Sequence, residues 1–486
     1  MKYLSEQFNE NDFKSWDCAS HILIIADTGN GKTTLMLDKF TLWAEKQGKR
    51  VLYLYNRQIM KAQFAEKKAS EHENLEIFSY QAIEVNEMGV GLQEYINTFD
   101  FVLCDECHYF ISDSSFNINT FLSFDAVNNC KGTVIYFTAT PKYFLNMKNH
   151  LAKPLKIIDK SGLNPKNVKK IYLAKNRNEF DEFEEKTLEN SKVIHFENNT
   201  KKLTVKALKY SNKGYKTAIV LSELSKDAEV MNTEVAKQIK NSTDENGNEI
   251  QNVFVNWLGC TSAYENGVNF NIEGAVTVSF ARYMNWTSLE QSRSRVRNFK
   301  DNSVSMLVCL PHKAFLNNVV IEKENKIGDW IYGRETTDKT AIFGADAYNQ
   351  YNDFRIAFQE FELEEIKEIL NAEDKIEYYK EKLKEIYPDA EICMLHEIKS
   401  SFIDFDEIMQ SFIGAEVDEA YLCKDEQNRL GEIFKKLNFA ASNANRKFGV
   451  NRISKELEKN GSIFGIETKN KRIDGKVQNT WHVYRK

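Results

Sequence analysis

Apolar and polar positions in the first third of the chain fall into two alternating periods. His21-Ile22-Leu23-Ile24-Ile25 is an unbroken apolar run, the pattern of a strand covered on both faces. After a glycine-containing turn, Leu35, Leu37, Phe40, Leu42 and Trp43 mark out a helix. Short apolar runs at 51–55, 99–104 and 133–137 predict three more strands with helices between them. That alternation implies a doubly wound parallel sheet, which binds ligands at the carboxyl ends of its strands. A second α/β set begins near Lys170, with strands predicted at 193–196, 216–220, 253–256, 275–279 and 303–308. Residues 242–248 are polar and read as a surface loop. Beyond about residue 345 the pattern changes to charged helices, one of them amphipathic over 357–387 and ending before Pro388. In the tail a helix over 452–458 precedes runs at 463–473 and 476–484, which flank the hairpin signal Asp474-Gly475. A helix followed by a basic hairpin predicts a winged helix.

Length and charge refine this picture. A chain of 486 residues exceeds one core, so two to four domains are expected. The net charge of −6 does not announce nucleic acid, but its distribution does. From 431 to 486 there are 13 Lys/Arg against 5 Asp/Glu, a balance of +8 that leaves about −14 for the remainder. No apolar run is long enough for a membrane span, and the first residues lack the apolar core of a signal peptide. The eight scattered cysteines suit a reducing, cytoplasmic setting. Cys104 and Cys107 form a C-x-x-C, but no second pair stands at zinc-site spacing.

Two segments carry chemistry. Ala26-Asp27-Thr28-Gly29-Asn30-Gly31-Lys32-Thr33-Thr34 follows a buried strand and opens a helix, the context of a phosphate-binding loop. Its glycines let backbone N–H groups close around phosphate oxygens, and the helix adds its positive end. Lys32 is placed for the β- and γ-phosphates and the Thr33 hydroxyl for Mg²⁺. Ala26 stands where Gly is usual, and is small enough for the turn. About 70 residues on, Asp105-Glu106-Cys107-His108 closes an apolar strand. Asp105 is expected to hold Mg²⁺ through water, and Glu106 to act as general base on the attacking water. Zinc ligation by His108, Cys104 and Cys107 is the weaker alternative.

With these residues in place, roughly 15–315 resembles a superfamily-two helicase of the DEAD-like, more narrowly DExH, kind. The resemblance extends to viral and phage replication-origin-binding helicases. It implies two tandem RecA-like lobes, an ATP and Mg²⁺ requirement, and nucleic acid as partner. Thr138-Ala139-Thr140-Pro141 looks like the motif that couples hydrolysis to lobe movement, a role that also falls to His108. Asn56 and Arg57 sit where the family touches the nucleic-acid backbone, and Ser79-Tyr80-Gln81 resembles a further family segment. The stretch from Thr261 through Gly267 to Asn269 looks like motif five, with Thr261 toward nucleic acid and Gly267 and Asn269 toward nucleotide. Asn269 replaces the usual Asp, keeping an acceptor without the charge. Gln291-Ser292-Arg293-Ser294-Arg295-Val296-Arg297 looks like motif six, about 260 residues after the phosphate loop. Arg295 first and Arg297 second are expected to meet the γ-phosphate when the lobes close, because a guanidinium is always charged and pairs with phosphate. Arg293 is assigned to solvent or nucleic acid.

The expected organisation is a RecA-like ATP-binding lobe at 1–165, a second RecA-like lobe at 166–344, a helical accessory region at 345–428 and a basic winged-helix-like domain at 429–486. In the last of these, Arg452 and Lys455 would face a major groove and the turn at 469–476 the backbone. The sequence thus reads as an ATP-driven DNA helicase or translocase, with DNA favoured over RNA and no membrane partner. Replication or defence proteins would dock on the helical region. An RNA helicase and an ATP-switched binding protein are the alternatives.

Overall fold

The computed structural model describes residues 3–16, 20–56, 71–85, 91–114, 117, 119–163, 166–221, 233–240, 251–261, 270–297, 304–332, 345–397, 405–414, 418–437, 449–459, 462–473 and 476–486. Among these, β1 (His21–Ile25), β2 (Val51–Tyr55), β3 (Leu75–Ser79), β4 (Phe101–Cys104), β5 (Thr133–Thr138) and β6 (Leu155–Asp159) form one parallel sheet in the order β3-β2-β4-β5-β1-β6. Strands β1, β2, β4 and β5 are buried along their whole length because apolar layers cover both sheet faces. Trp16, Phe40 and Trp43 pack on one face, and Tyr80, Phe110 and Phe124 on the other. Strands β3 and β6 were not predicted. They lie at the two sheet edges, where half-exposed positions such as Glu76 and Lys156 dilute the apolar signal.

The second lobe holds β7 (Val168–Ala174), β8 (Lys192–Phe196), β9 (Thr217–Val220), β10 (Gln251–Asn252), β11 (Trp257–Cys260), β12 (Phe270–Asn271), β13 (Val276–Phe280), β14 (Val296–Arg297), β15 (Val304–Cys309) and β16 (Glu391–Met394). Seven of them form a parallel sheet in the order β16-β7-β15-β13-β8-β11-β9, and β10-β12-β14 form a small parallel sheet of their own. The strand expected at 253–256 is absent, and pairing starts at Trp257. Asn256 closes a local loop first, its side chain accepting the Lys216 N–H at 2.9 Å and its N–H donating to the Lys216 carbonyl at 2.9 Å. Val253 and Val255 are buried, and the Val253 N–H donates to the Asn271 carbonyl of β12 at 3.0 Å, so the segment is held without forming a strand of the main sheet.

The single helix expected over 357–387 is two, Ala345–Asn371 and Lys375–Ile386. The Asp374 side chain accepts the N–H groups of Ile376 and Glu377 and so caps a new helix. Apolar spacing continues across the break because Ile366, Ile369, Tyr379 and Leu383 all enter the second lobe's core. The first of these helices also reaches the other lobe. Tyr351 and Phe354 belong to the core of the first sheet, with the Tyr351 hydroxyl donating to the Ser114 carbonyl at 2.7 Å. The region read as purely helical also supplies β16 to the second lobe's sheet.

The tail runs helix Phe405–Ile413, β17 (Glu419–Leu422), helices Lys424–Leu437 and Val450–Lys459, then β18 (Phe464–Ile473) and β19 (Lys476–Arg485). The antiparallel order β17-β19-β18 fits a winged helix. One small core unites Met409, Leu422, Phe434, Ile453, Leu457, Phe464 and Val483. The boundary drawn at 428/429 therefore falls inside a helix of this unit, whose core begins near 405. Among the described residues, no helix is long and apolar enough to cross a membrane.

Candidate nucleotide site

The phosphate loop leaves β1 at its carboxyl end. Ala26 is fully buried, and its N–H donates to the Thr138 carbonyl of β5 at 3.1 Å. Gly29 and Gly31 have φ of 87° and 80°, values that disfavour any side chain. The Asp27 side chain accepts the Gly162 N–H at 2.6 Å. The N-terminal segment braces the loop from outside, with the Leu4 N–H donating to the Asn30 carbonyl at 2.8 Å. A helix follows over 32–46, wound wider at its centre, where the Thr41 hydroxyl donates to the Met36 carbonyl at 2.8 Å. Thr33 is half-buried at its start, while Thr34 is exposed and Thr28 lies half-buried in the turn.

The Lys32 ammonium, 7% exposed, donates to the Ala26 carbonyl at 3.1 Å and lies 3.7 Å from Glu106 Oε1. The Asp105–Glu106 turn ends β4. Glu106 has φ of 49°, the one positive value at a non-glycine among the described residues, so the turn holds strain. Burial pushes the Asp105 carboxyl up to about 6, helped by the Glu106 charge and opposed by Lys32. At Glu106 burial pulls the same way, but Lys32, His108 and Arg295 together outweigh it and hold the group below its usual range. One carboxylate is thereby kept ionised beside the loop. The hard oxygen donors Thr33 and Asp105 fit a small divalent cation. Among the described residues no group of three acidic, His or Cys side chains is arranged to hold a metal ion, so such a cation would lean on phosphate and water for its remaining ligands. Cys104 and Cys107 are buried in the apolar layer under the sheet.

His108 connects this turn to the second lobe. The Gln291 amide donates to His108 Nε2 at 3.3 Å and to the Thr140 hydroxyl at 3.5 Å. With Nε2 accepting, the neutral imidazole carries its proton on Nδ1, which faces Thr138 Oγ1 at 3.3 Å and Glu106 Oε2 at 3.4 Å. Thr138 Oγ1 accepts the Thr140 N–H at 2.9 Å, and Ala139 is half-buried between them. Helix Trp286–Ser294 carries Gln291 and ends at Arg295, which is 7% exposed and near enough to stabilise the Glu106 charge. The expectation for Arg293 fails. Its guanidinium pairs with Glu290 and lies 5.7 Å from the centre of the Tyr387 ring, so it is buried in a brace and not turned to solvent.

Asn56 accepts from the Gln81 amide at 3.2 Å at the end of β2, and Thr261 is half-buried at the end of β11. Arg57, Gly267, Asn269 and the side chain of Arg297 lie outside the described residues. Arg452 and Lys455 are exposed on helix Val450–Lys459. Sequence reasoning missed two features. The Tyr53 hydroxyl donates to Asp105 Oδ2 at 2.7 Å and the Tyr80 hydroxyl to the Asp105 carbonyl at 2.9 Å, yet both tyrosines read as ordinary apolar positions. A cleft of about 490 Å³ in the second lobe is lined by Arg177, Asp181, Asn199, Lys201, Lys202 and Lys206, among others. The run Asn198-Asn199-Thr200-Lys201-Lys202 after β8 was its available signal.

The family model for the res subunit of type III restriction enzymes matches residues 63–143, which hold the Asp105–Glu106 turn and the Thr138–Thr140 segment. A comparison with curated protein sequences returned no match. Among solved structures, S. cerevisiae Dbp5 bound to RNA and ADP BeF3 is similar at 12% identity and a TM-score of 0.43, over 81% of this chain and 88% of that one. The helicase MrfA bound to DNA is similar at 12% and 0.44, over 67% and 51%. The Pyrococcus furiosus Hef helicase domain is similar at 14% and 0.37, over 64% and 96%. The two parallel sheets, with a phosphate loop on the first and an arginine-ended helix of the second turned toward it, form the tandem RecA-like fold.

Proposed function

We propose that this chain is an ATP-driven nucleic-acid motor, a helicase or translocase with DNA as its favoured track, serving replication or defence of a phage or mobile element. The observation that carries this reading is the contact of Gln291 with His108 and Thr140. It sets groups of the second lobe against the carboxylate turn of the first, so events at the phosphate loop bear directly on how the lobes sit. Magnesium-bound ATP supplies the scissile phosphoryl group. The chain's own groups then divide the work. Lys32 and the loop N–H groups neutralise phosphate charge, Thr33 and Asp105 hold the cation, and ionised Glu106 accepts a proton from water. Arg295 meets charge that develops on the transferred group.

Nucleic acid is assigned to three places. The cationic cleft at Arg177, Lys201 and Lys202 suits a backbone phosphate, Asn56 and Thr261 follow the carboxyl ends of β2 and β11, and the exposed Arg452 and Lys455 suit a duplex. The family match to a restriction-enzyme subunit favours DNA. The test is ATP hydrolysis without nucleic acid and with single-stranded DNA, duplex DNA or RNA, with Lys32→Ala and Glu106→Gln as controls. Strong stimulation by DNA that both variants lose, with Glu106→Gln reduced about 10²–10⁴-fold, is the expected result. Stimulation by RNA alone would replace the substrate, and absence of hydrolysis throughout would replace the motor by a binding switch.

A further inference from the structure

Tyr53 stands midway along β2, fully buried, with its ring in the apolar layer beneath the phosphate-loop helix. Nothing about packing requires a hydroxyl there, since the neighbours in that layer are Ile22, Ile24, Leu35 and Leu103. A buried hydroxyl is stabilising only if it finds a partner. This one donates to Asp105 Oδ2 at 2.7 Å. The phenol therefore holds one of the two groups that the reading above assigns to the divalent cation, from the neighbouring strand and out of reach of solvent. The other Asp105 oxygen accepts the Glu106 N–H at 3.0 Å. Asp105 is thus gripped at both oxygens, by a rigid ring from the neighbouring strand and by its own turn.

We infer that Tyr53 is a positioning residue for the divalent cation, holding the Asp105 carboxylate in the orientation in which it takes up metal. The inference rests on the proposed nucleotide site. A rigid two-ring-atom lever is suited to this task because it loses little conformational freedom, and its donor leaves the remaining carboxylate lone pairs for water held by the cation. A merely structural phenol would satisfy itself on any nearby carbonyl. Tyr80 does so, donating to the Asp105 main-chain carbonyl at 2.9 Å.

The test compares the full-length chain with Tyr53→Phe and Tyr55→Phe. Tyr55 lies on the same strand, its ring stacked on Tyr53 at 6.3 Å, so it controls for removing a hydroxyl from β2. Mn²⁺ binding to the ADP-loaded protein is titrated by electron paramagnetic resonance. Affinity for a fluorescent ADP in excess chelator and the unfolding temperature are measured alongside. The expected result is Mn²⁺ binding weakened about 10-fold or more in Tyr53→Phe only, in line with loss of an outer-shell partner, with metal-free ADP affinity and unfolding temperature unchanged. Equal Mn²⁺ affinity in all three proteins would overturn the inference while leaving the nucleotide site standing. A parallel loss of metal-free ADP affinity and unfolding temperature in Tyr53→Phe would also overturn it, since the hydroxyl would then be holding the fold. If the parent chain binds neither ADP nor Mn²⁺-ADP, the nucleotide reading itself fails and the inference falls with it.

Discussion

In the proposed mechanism Glu106 is the general base, and its surroundings suit that role. Its backbone is held at positive φ, its carboxylate is largely withdrawn from water, and three cationic or potentially cationic groups keep it ionised. One of the three, Arg295, comes from the other lobe. Removing it subtracts charge stabilisation at the transferred phosphoryl group and leaves the phosphate loop intact. Arg295→Ala is therefore expected to lower kcat by about 10³-fold or more while ATP affinity changes only a few-fold. Arg295→Lys should restore little, because an ammonium lacks the planar paired donors. Steady-state hydrolysis with nucleotide titration checks both, and a variant that loses affinity and keeps kcat would assign Arg295 to ground-state binding. Spacing puts Arg295 first among the motif-six arginines, and the fold sets it near Glu106, whereas Arg293 pairs with Glu290. Its partners Glu290 and Tyr387 stand three and 94 positions away, and only folding brings the second of these near.

Helix Ala345–Asn371 is the element whose role was least visible. Its early residues Tyr351 and Phe354 enter the first lobe's core and its later residues Ile366 and Ile369 the second's. Between them Glu362 pairs with Lys323 at 2.5 Å and accepts from Asn285 at 2.7 Å. Glu365, on the same stretch, is 7% exposed, and its carboxyl is raised to about 7 by burial, with Glu362 adding and Lys142 of the first lobe opposing. Between its ordinary value and 7 the folded chain binds the proton that the unfolded chain has released. Stability therefore falls as pH rises through this window, and the cost is complete above 7. Glu365→Gln keeps the shape and removes the charge. It is expected to match the parent near pH 4.5 and to exceed it at pH 8 by at most about 3 kcal/mol. Urea unfolding at the two pH values measures this, and equal differences at both would mean that the carboxyl is hydrated in the folded chain.

Across the whole molecule the charge is divided. The chain carries −6 overall, with one surplus of positive charge in its last residues and several lysines at the second-lobe cleft. Arg452 and Lys455 are exposed on helix Val450–Lys459, and the proposed reading gives them the grip on duplex DNA. Changing both to Ala should weaken duplex DNA binding and reduce the slope of log affinity against log salt by about 2, with unstimulated hydrolysis unchanged. An unaltered slope would remove this helix from the DNA interface. The sequence alone determined the strands β1, β2, β4 and β5, the phosphate loop, the carboxylate turn and the terminal hairpin. Each is written in contiguous residues whose period or spacing has a local physical cause. Only the tertiary structure decided that the 345–397 region ties two lobes together, that the winged unit begins near 405, and that Tyr53 reaches Asp105. Those outcomes depend on which buried faces meet. An apolar position reports that it is covered, and the identity of what covers it is set by packing between segments far apart in the chain.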